Sequence, residues 1–217
     1  RITSTVRTNG VLLAEVTPTG GVISGTSSVV ELEGWNWEDA VLEKDNGVHL
    51  NWPEKRSSLG QDKKYDGKNG KRYLEEVAAI QTFFKEANTY SKVEFQAEKN
   101  LRFEAMKGLF NEKKKLFIHA NNVQEITDAI YFSDKYEMGV VLVGGYEAYL
   151  MADLLKDRNI PVILRRVHSL PTKEDEDVDL PYKMPKILSN KGVLVALENS
   201  GSMEAMGTRN LPFYAGT

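Results

Sequence analysis

The sequence has 217 residues, of which 41% are hydrophobic and 27% are charged, and its formal net charge is −3. These values suit one globular domain with a sizeable core, and without a basic excess they argue against a nucleic-acid surface. The chain has no cysteine, which excludes disulfides, thiolate metal ligands and cysteine nucleophiles, and no apolar run approaches the roughly 20 residues that a membrane span needs.

The first half of the chain predicts two strands, a short helix and a long loop. Residues 12–17 and 28–32 have the apolar character of strands and are separated by the turn-forming segment Pro18-Thr19-Gly20-Gly21. Residues 35–42 are predicted to form a short helix. The polar residues 54–71, which are rich in lysine, glycine and aspartate, predict a long mobile loop.

A strongly amphipathic segment follows this loop and predicts a helix from Tyr73 to Tyr90. The apolar residues that repeat at helical spacing and share its predicted buried face are Leu74, Val77, Phe84 and Ala87. Residues 101–110 predict a second helix. We therefore expect helical structure between the loop and the second half of the chain.

Four short apolar runs recur in the second half, at residues 116–120, 140–143, 162–164 and 193–197. Each is too short for a helix and too uniformly apolar for a strand with one exposed face, which is typical of strands buried on both faces. Helical apolar stripes lie between the runs. This alternation predicts a parallel sheet with its strands in chain order and with right-handed helical crossovers.

Five segments of the chain, residues 17–25, 116–126, 145–154, 161–164 and 210–216, carry a resemblance to a known family. Their sequences, which include the run LFIHANN and the later NLP, resemble the imidazolonepropionase-like members of the amidohydrolase superfamily. The resemblance implies an α/β fold, an incomplete (β/α)8 TIM-type barrel with parallel strands. It also implies that residues 1–217 form a single partial barrel domain, truncated at both ends.

Members of that family use zinc or another divalent metal to activate a water molecule, since a bound metal lowers the pKa of water to about 7. The resemblance places two metal-ligand positions on His119 and Glu31, and two others on Gly144 and Ser200, which are not suitable ligands. The family's His-x-His pair would precede Arg1. A catalytic zinc usually has three protein ligands, so we expect this chain to bind no metal tightly. His119 as a satisfied structural residue, and Glu31 as a carboxylate paired with a lysine or arginine, remain alternatives.

Four further residues are candidates for substrate binding. Arg165 and Arg166 follow a predicted strand, where two guanidinium groups could bind an anionic ligand. The alternative is that they pair with the acidic residues of segment 174–179. His168 lies on the loop after the same strand, where it could contact a substrate or simply be solvated. His49, which follows an early strand and precedes Asn51-Trp52-Pro53, has the same two interpretations.

Three functions are compatible with these residues. The first is a degenerate amidohydrolase barrel without hydrolase activity, which serves a structural or binding role. The second is an active, metal-dependent hydrolase of C–N bonds that a missing N-terminal region completes. The third is a binding module for an anionic ligand. The expected partner is a small-molecule substrate or none, and the open edges of an incomplete sheet predict self-association.

Overall fold

The protein is described by a computed structural model, which covers residues 2–55, 67–95, 98–165, 167–199 and 207–216. The strands are β1 Leu13–Val16, β2 Ile23–Glu31, β3 Val41–Asn51, β4 Lys115–Ala120, β5 Val140–Gly144, β6 Val162–Arg165 and β7 Val195–Glu198. The helices are α1 Ile2–Thr8, α2 Trp37–Ala40, α3 Gly67–Ser91, α4 Leu101–Met106, α5 Val123–Asp134, α6 Ala152–Asp157, α7 Leu180–Asn190 and α8 Leu211–Ala215.

The strands form one seven-stranded sheet in chain order, from β1 to β7. The pairs from β3 to β7 are parallel, which confirms the parallel arrangement predicted for the four apolar runs. The pairs β1–β2 and β2–β3 are antiparallel, so the prediction of a wholly parallel sheet is wrong for the first part of the chain. The fold is therefore a mixed α/β fold with a mostly parallel sheet.

The two faces of this sheet bury different sets of side chains because successive residues of a strand point to opposite sides. On one face, Leu116 and Ile118 of β4 join the main core with Phe84 of α3 and Ile126 of α5. On the other face a smaller cluster is formed by Phe117, Val141, Val143 and Ile163. Burial on both faces explains why these strands are almost continuously apolar in sequence.

The sheet is curled, and its smaller apolar cluster lies on the concave side. Glu15 of the edge strand β1 and Glu198 of the opposite edge strand β7 line the same cavity, which a flat seven-stranded sheet would not allow. The helix α5 that packs outside this sheet begins with a capping box formed by Asn122 and Glu125. This arrangement brings the carboxyl ends of the parallel strands around one concave space.

Several predicted elements differ in their bounds from the observed ones. The helix expected at 35–42 contains only Trp37–Ala40, and β3 begins immediately after it. The helix α3 begins at Gly67, within the predicted loop, and Leu74 on its predicted apolar face is 66% exposed. Phe84 and Ala87 are buried as predicted, and Tyr73 and Ile80 complete the buried stripe of this helix.

The edge strand β1 presents apolar side chains to solvent, with Leu13 and Val16 each more than half exposed. Such an edge carries unpaired backbone groups and apolar surface, and self-association through it stays a prediction. None of the helices in the described parts of the chain has the length and apolarity needed to cross a membrane.

Candidate functional site

A cavity of about 910 Å³ lies at the carboxyl ends of the parallel strands. Its volume is in the range of small-molecule sites, and the carboxyl ends of parallel strands are the usual position for functional groups in α/β folds. Its wall combines polar side chains from β1, β3, β4, β6 and β7 with the apolar residues Phe117, Val143 and Ile163.

Two histidines contact each other directly in this cavity. The parallel register pairs Asn51 of β3 with His119 of β4, so that His49, two residues before Asn51, projects on the same face as His119. Nδ1 of His49 lies 3.0 Å from Nε2 of His119. One nitrogen donates and the other accepts, because a neutral imidazole carries one N–H group and one lone pair.

His49 is held more tightly than a residue on a loop would be. Only 2% of it is exposed, and its ring stacks on Phe117 with the ring centroids 4.7 Å apart and the planes 10° apart. Among the described residues, its Nε2 atom is buried without a hydrogen-bond partner. The histidine pair therefore leaves one buried polar atom unsatisfied on the side away from His119.

Both imidazoles are neutral near pH 7. Burial, together with the nearby His49 and Arg165, lowers the pKa of His119 to about 4. Burial also lowers the pKa of His49, although the carboxylates of Glu15 and Glu198 oppose this change. Neutral rings suit a hydrogen bond between two imidazoles, since two protonated rings would offer donors only.

The stability of the protein is expected to fall as the pH is lowered from about 6.5 to about 4. The unfolded chain takes up a proton on His119 in this range before the folded chain does, so protonation favours unfolding. Urea unfolding at several pH values would measure this dependence in the wild-type protein and in His119→Gln. The two proteins should differ in the slope of stability against pH, and parallel curves would contradict the expected contribution of His119.

Arg165 and Glu198 form an ion pair on the last two strands. Nε of Arg165 donates to Oε1 of Glu198 at 2.8 Å, and the register places the two residues opposite each other on β6 and β7. The acidic segment after β6 has other described contacts, because Glu176 accepts a hydrogen bond from Tyr146 and Asp179 pairs with Lys183. The described ion pair of Arg165 is thus with Glu198 rather than with segment 174–179. Arg166 lies outside the described residues.

Glu15 contributes a second carboxylate to the cavity, from β1. Its Oε1 atom accepts hydrogen bonds from Oγ of Ser27 at 2.9 Å and from Nδ2 of Asn46 at 3.2 Å. Sequence reasoning did not identify Glu15, although its position between Ala14 and Val16 in a predicted strand was a usable signal. A polar residue within an apolar strand must either reach solvent or face a polar cavity.

The structure does not bring Glu31 to His119. Because β2 is antiparallel to β3, Val30 pairs with Val41 at the start of β3, whereas His119 pairs with Asn51 at its end. The two predicted ligands are separated by nearly the length of β3, on the order of 30 Å at 3.3 Å per residue. Glu31 instead lies beside α1 and α2, in a second concavity.

Gly144 has a backbone conformation that disfavours any other residue, with φ at +94°. A Cβ atom added there would lie 2.6 Å from Oδ1 of Asn121. A histidine at this position would therefore strain the backbone and displace Asn121. Ser200 lies outside the described residues.

His168 is separate from the histidine pair. Its ring stacks on the ring of Tyr182, with the centroids 5.0 Å apart, and packs against the ring of Tyr214, with the centroids 4.7 Å apart. His168 also lines a smaller concavity with Leu164 and Leu211. The structure thus brings together His49, His119, Arg165, Glu198 and Glu15, of which His49, His119 and Arg165 were candidates from sequence.

A curled, mostly parallel sheet with its polar cavity at the strand ends defines an α/β half-barrel, and comparison with solved structures finds a similar fold. The chain is similar to an amidohydrolase from Thermotoga maritima MSB8, with a TM-score of 0.78 and 20% sequence identity. The similarity covers 99% of this chain and 57% of that chain. No family model and no curated protein matches the sequence.

Within the part of the chain that the structure describes, the residues do not fit a catalytic metal. A catalytic zinc usually has three protein ligands, and the described histidines, aspartates and glutamates form no group of three that could hold a metal ion. The two imidazoles of the cavity are hydrogen-bonded to each other.

Proposed function

We propose that this chain is an imidazolonepropionase-like barrel segment that does not hydrolyse C–N bonds by itself and that binds a small molecule in its cavity. The observation that carries the proposal is the direct contact between His49 and His119. Two nitrogens that would otherwise be available to a metal are used for each other, in a cavity large enough for a small molecule.

The polar groups of the cavity support binding more than hydrolysis. Hydrolysis of an amide needs an activated water and a group that accepts its proton. Glu198 is a carboxylate in a suitable region, but it is already paired with Arg165. Glu15 accepts two hydrogen bonds from its neighbours. Both carboxylates are therefore held in fixed positions by side chains of this chain, as in a preorganised binding site.

Zinc binding and turnover test this proposal directly. After dialysis against zinc, the purified chain should contain metal at well below one equivalent and should not hydrolyse N-acyl amino acids, with or without a chelator. The variants His119→Gln and His168→Gln should not differ in their zinc content. Stoichiometric zinc that is lost in His119→Gln but kept in His168→Gln, together with chelator-sensitive turnover, would instead establish an active hydrolase.

A further inference from the structure

The described side chains that line the cavity carry more negative than positive charge. The acidic residues are Glu15, Glu54, Glu125 and Glu198, and the basic residue is Arg165. Because Arg165 is paired with Glu198, its charge is compensated within the wall. The histidines add no positive charge, since both are neutral near pH 7. The cavity thus favours a cation over the anionic ligand that the two arginines suggested in sequence.

An unsatisfied buried atom points to a ligand independently of this charge. His49 lines the cavity and is 2% exposed, and its Nε2 atom has no hydrogen-bond partner among the described residues. We assign the tautomer in which Nδ1 of His49 donates to His119, so that Nε2 carries a lone pair and needs a donor. A buried polar atom without a partner is energetically unfavourable, so a ligand with N–H groups would remove a penalty that the free protein carries.

The remaining wall of the cavity is apolar. Phe117, Val143 and Ile163 form one continuous cluster on the concave face of the sheet and also line the cavity. Phe117 stacks on His49, which places the apolar wall directly beside the unsatisfied nitrogen. A ligand that matches both surfaces has a hydrocarbon body and a donor-rich end.

We propose that the cavity binds a small organic cation, an alkylammonium or alkylguanidinium, with its N–H groups directed to Glu15 and His49 and its hydrocarbon chain against Phe117, Val143 and Ile163. This inference rests on the proposed binding function and names the class of ligand. Carboxylate and imidazole acceptors meet the donors, and the hydrocarbon chain loses its contact with water.

Two six-carbon probes of opposite charge test whether the cavity prefers a cationic or an anionic ligand. The protein is titrated with hexylammonium and with hexanoate, and binding is followed by the imidazole C–H signals of its three histidines. Hexylammonium should shift the signals of His49 and His119 and leave His168 unchanged, because His168 packs against Tyr182 and Tyr214 outside the cavity. Equal or tighter binding of hexanoate would overturn the inference, as would the absence of binding by both probes.

Two charge-removing variants locate the site. Glu15→Gln keeps an oxygen for Ser27 and Asn46 but removes the charge, and it should weaken hexylammonium binding about tenfold, the loss of one charge-assisted hydrogen bond. Glu43→Gln removes a charge from an exposed position of β3 outside the cavity and should leave binding unchanged. Equal effects of the two variants would contradict the assigned site.

The probe results and the turnover results are separable. Binding of hexanoate in place of hexylammonium would leave the proposed binding function intact and reject only the cationic ligand. Chelator-sensitive amide hydrolysis would reject the proposed function, whichever probe binds.

Discussion

Replacing Glu125 by alanine is expected to lower the free energy of unfolding by about 3 kcal/mol. Glu125 is 3% exposed, and its carboxylate accepts hydrogen bonds from three backbone N–H groups, those of Lys55, Asn121 and Asn122. The first group follows β3, and the other two follow β4. Loss of the carboxylate removes the acceptor of all three donors and also the capping box of α5.

Two matched variants show whether the hydrogen bonds are responsible for this loss. Glu125→Gln keeps one acceptor oxygen and should lose less stability than Glu125→Ala. Glu86→Ala removes an exposed glutamate of α3 and should change stability by less than about 0.5 kcal/mol. Urea unfolding followed by circular dichroism measures the free energy of unfolding of all three variants. The role assigned to Glu125 would be wrong if its alanine variant unfolded like Glu86→Ala.

The second half of the fold could be predicted from sequence because its signals are local. The parallel strands are buried on both faces, so each appears as a short apolar run. The helix α5 between β4 and β5 begins with Asn122 and Glu125 at the spacing of a capping box, which is itself a sequence signal. In this region, propensity, apolar pattern and tertiary packing all favour the same structure.

The full length of strand β3 could not be predicted because its middle has the composition of a turn. The residues Lys44-Asp45-Asn46-Gly47 are polar, and Asp45 adopts a positive φ of 53°. The pairing of β2 with β3 shifts register near this point, as in a β-bulge. The strand continues through these residues because β2 and β4 pair with it on both sides, which is tertiary information.

The pairing of strands also explains which candidate residues could not be brought together from sequence. His119 was recognised at the end of an apolar run and His49, 70 residues earlier, was recognised after an early strand, but no local pattern showed that the two meet. Glu31 was assigned as a ligand because the resemblance places a metal-ligand position on it. The antiparallel direction of β2 places Glu31 at the opposite end of β3. Local patterns therefore predicted single residues, whereas the pairing of strands decided which residues meet.

Gly47→Val is expected to lower the free energy of unfolding by about 3 kcal/mol, because it overpacks a closed part of the core. A Cβ atom at Gly47 would lie 2.3 Å from Cε2 of Phe117 and 3.0 Å from Oγ of Ser27. Phe117 is 6% exposed and stacks on His49, so its ring cannot move away without disturbing the histidine pair. Urea unfolding measures the loss, and the imidazole signal of His49 should shift in the folded variant.

The cause of this loss can be isolated by a double-mutant cycle with Phe117→Leu, which makes room for a side chain at position 47. The double variant should lose less stability than the sum of the two single variants, because the clash is absent in it. Gly216→Ala is the matched control, since a Cβ atom there would meet only ordinary contacts, the nearest at 3.5 Å. Additive losses of stability in the cycle would show that Gly47 is required for a reason other than its close contact with Phe117. The wall of the cavity beside His49 would then tolerate larger side chains than the structure implies.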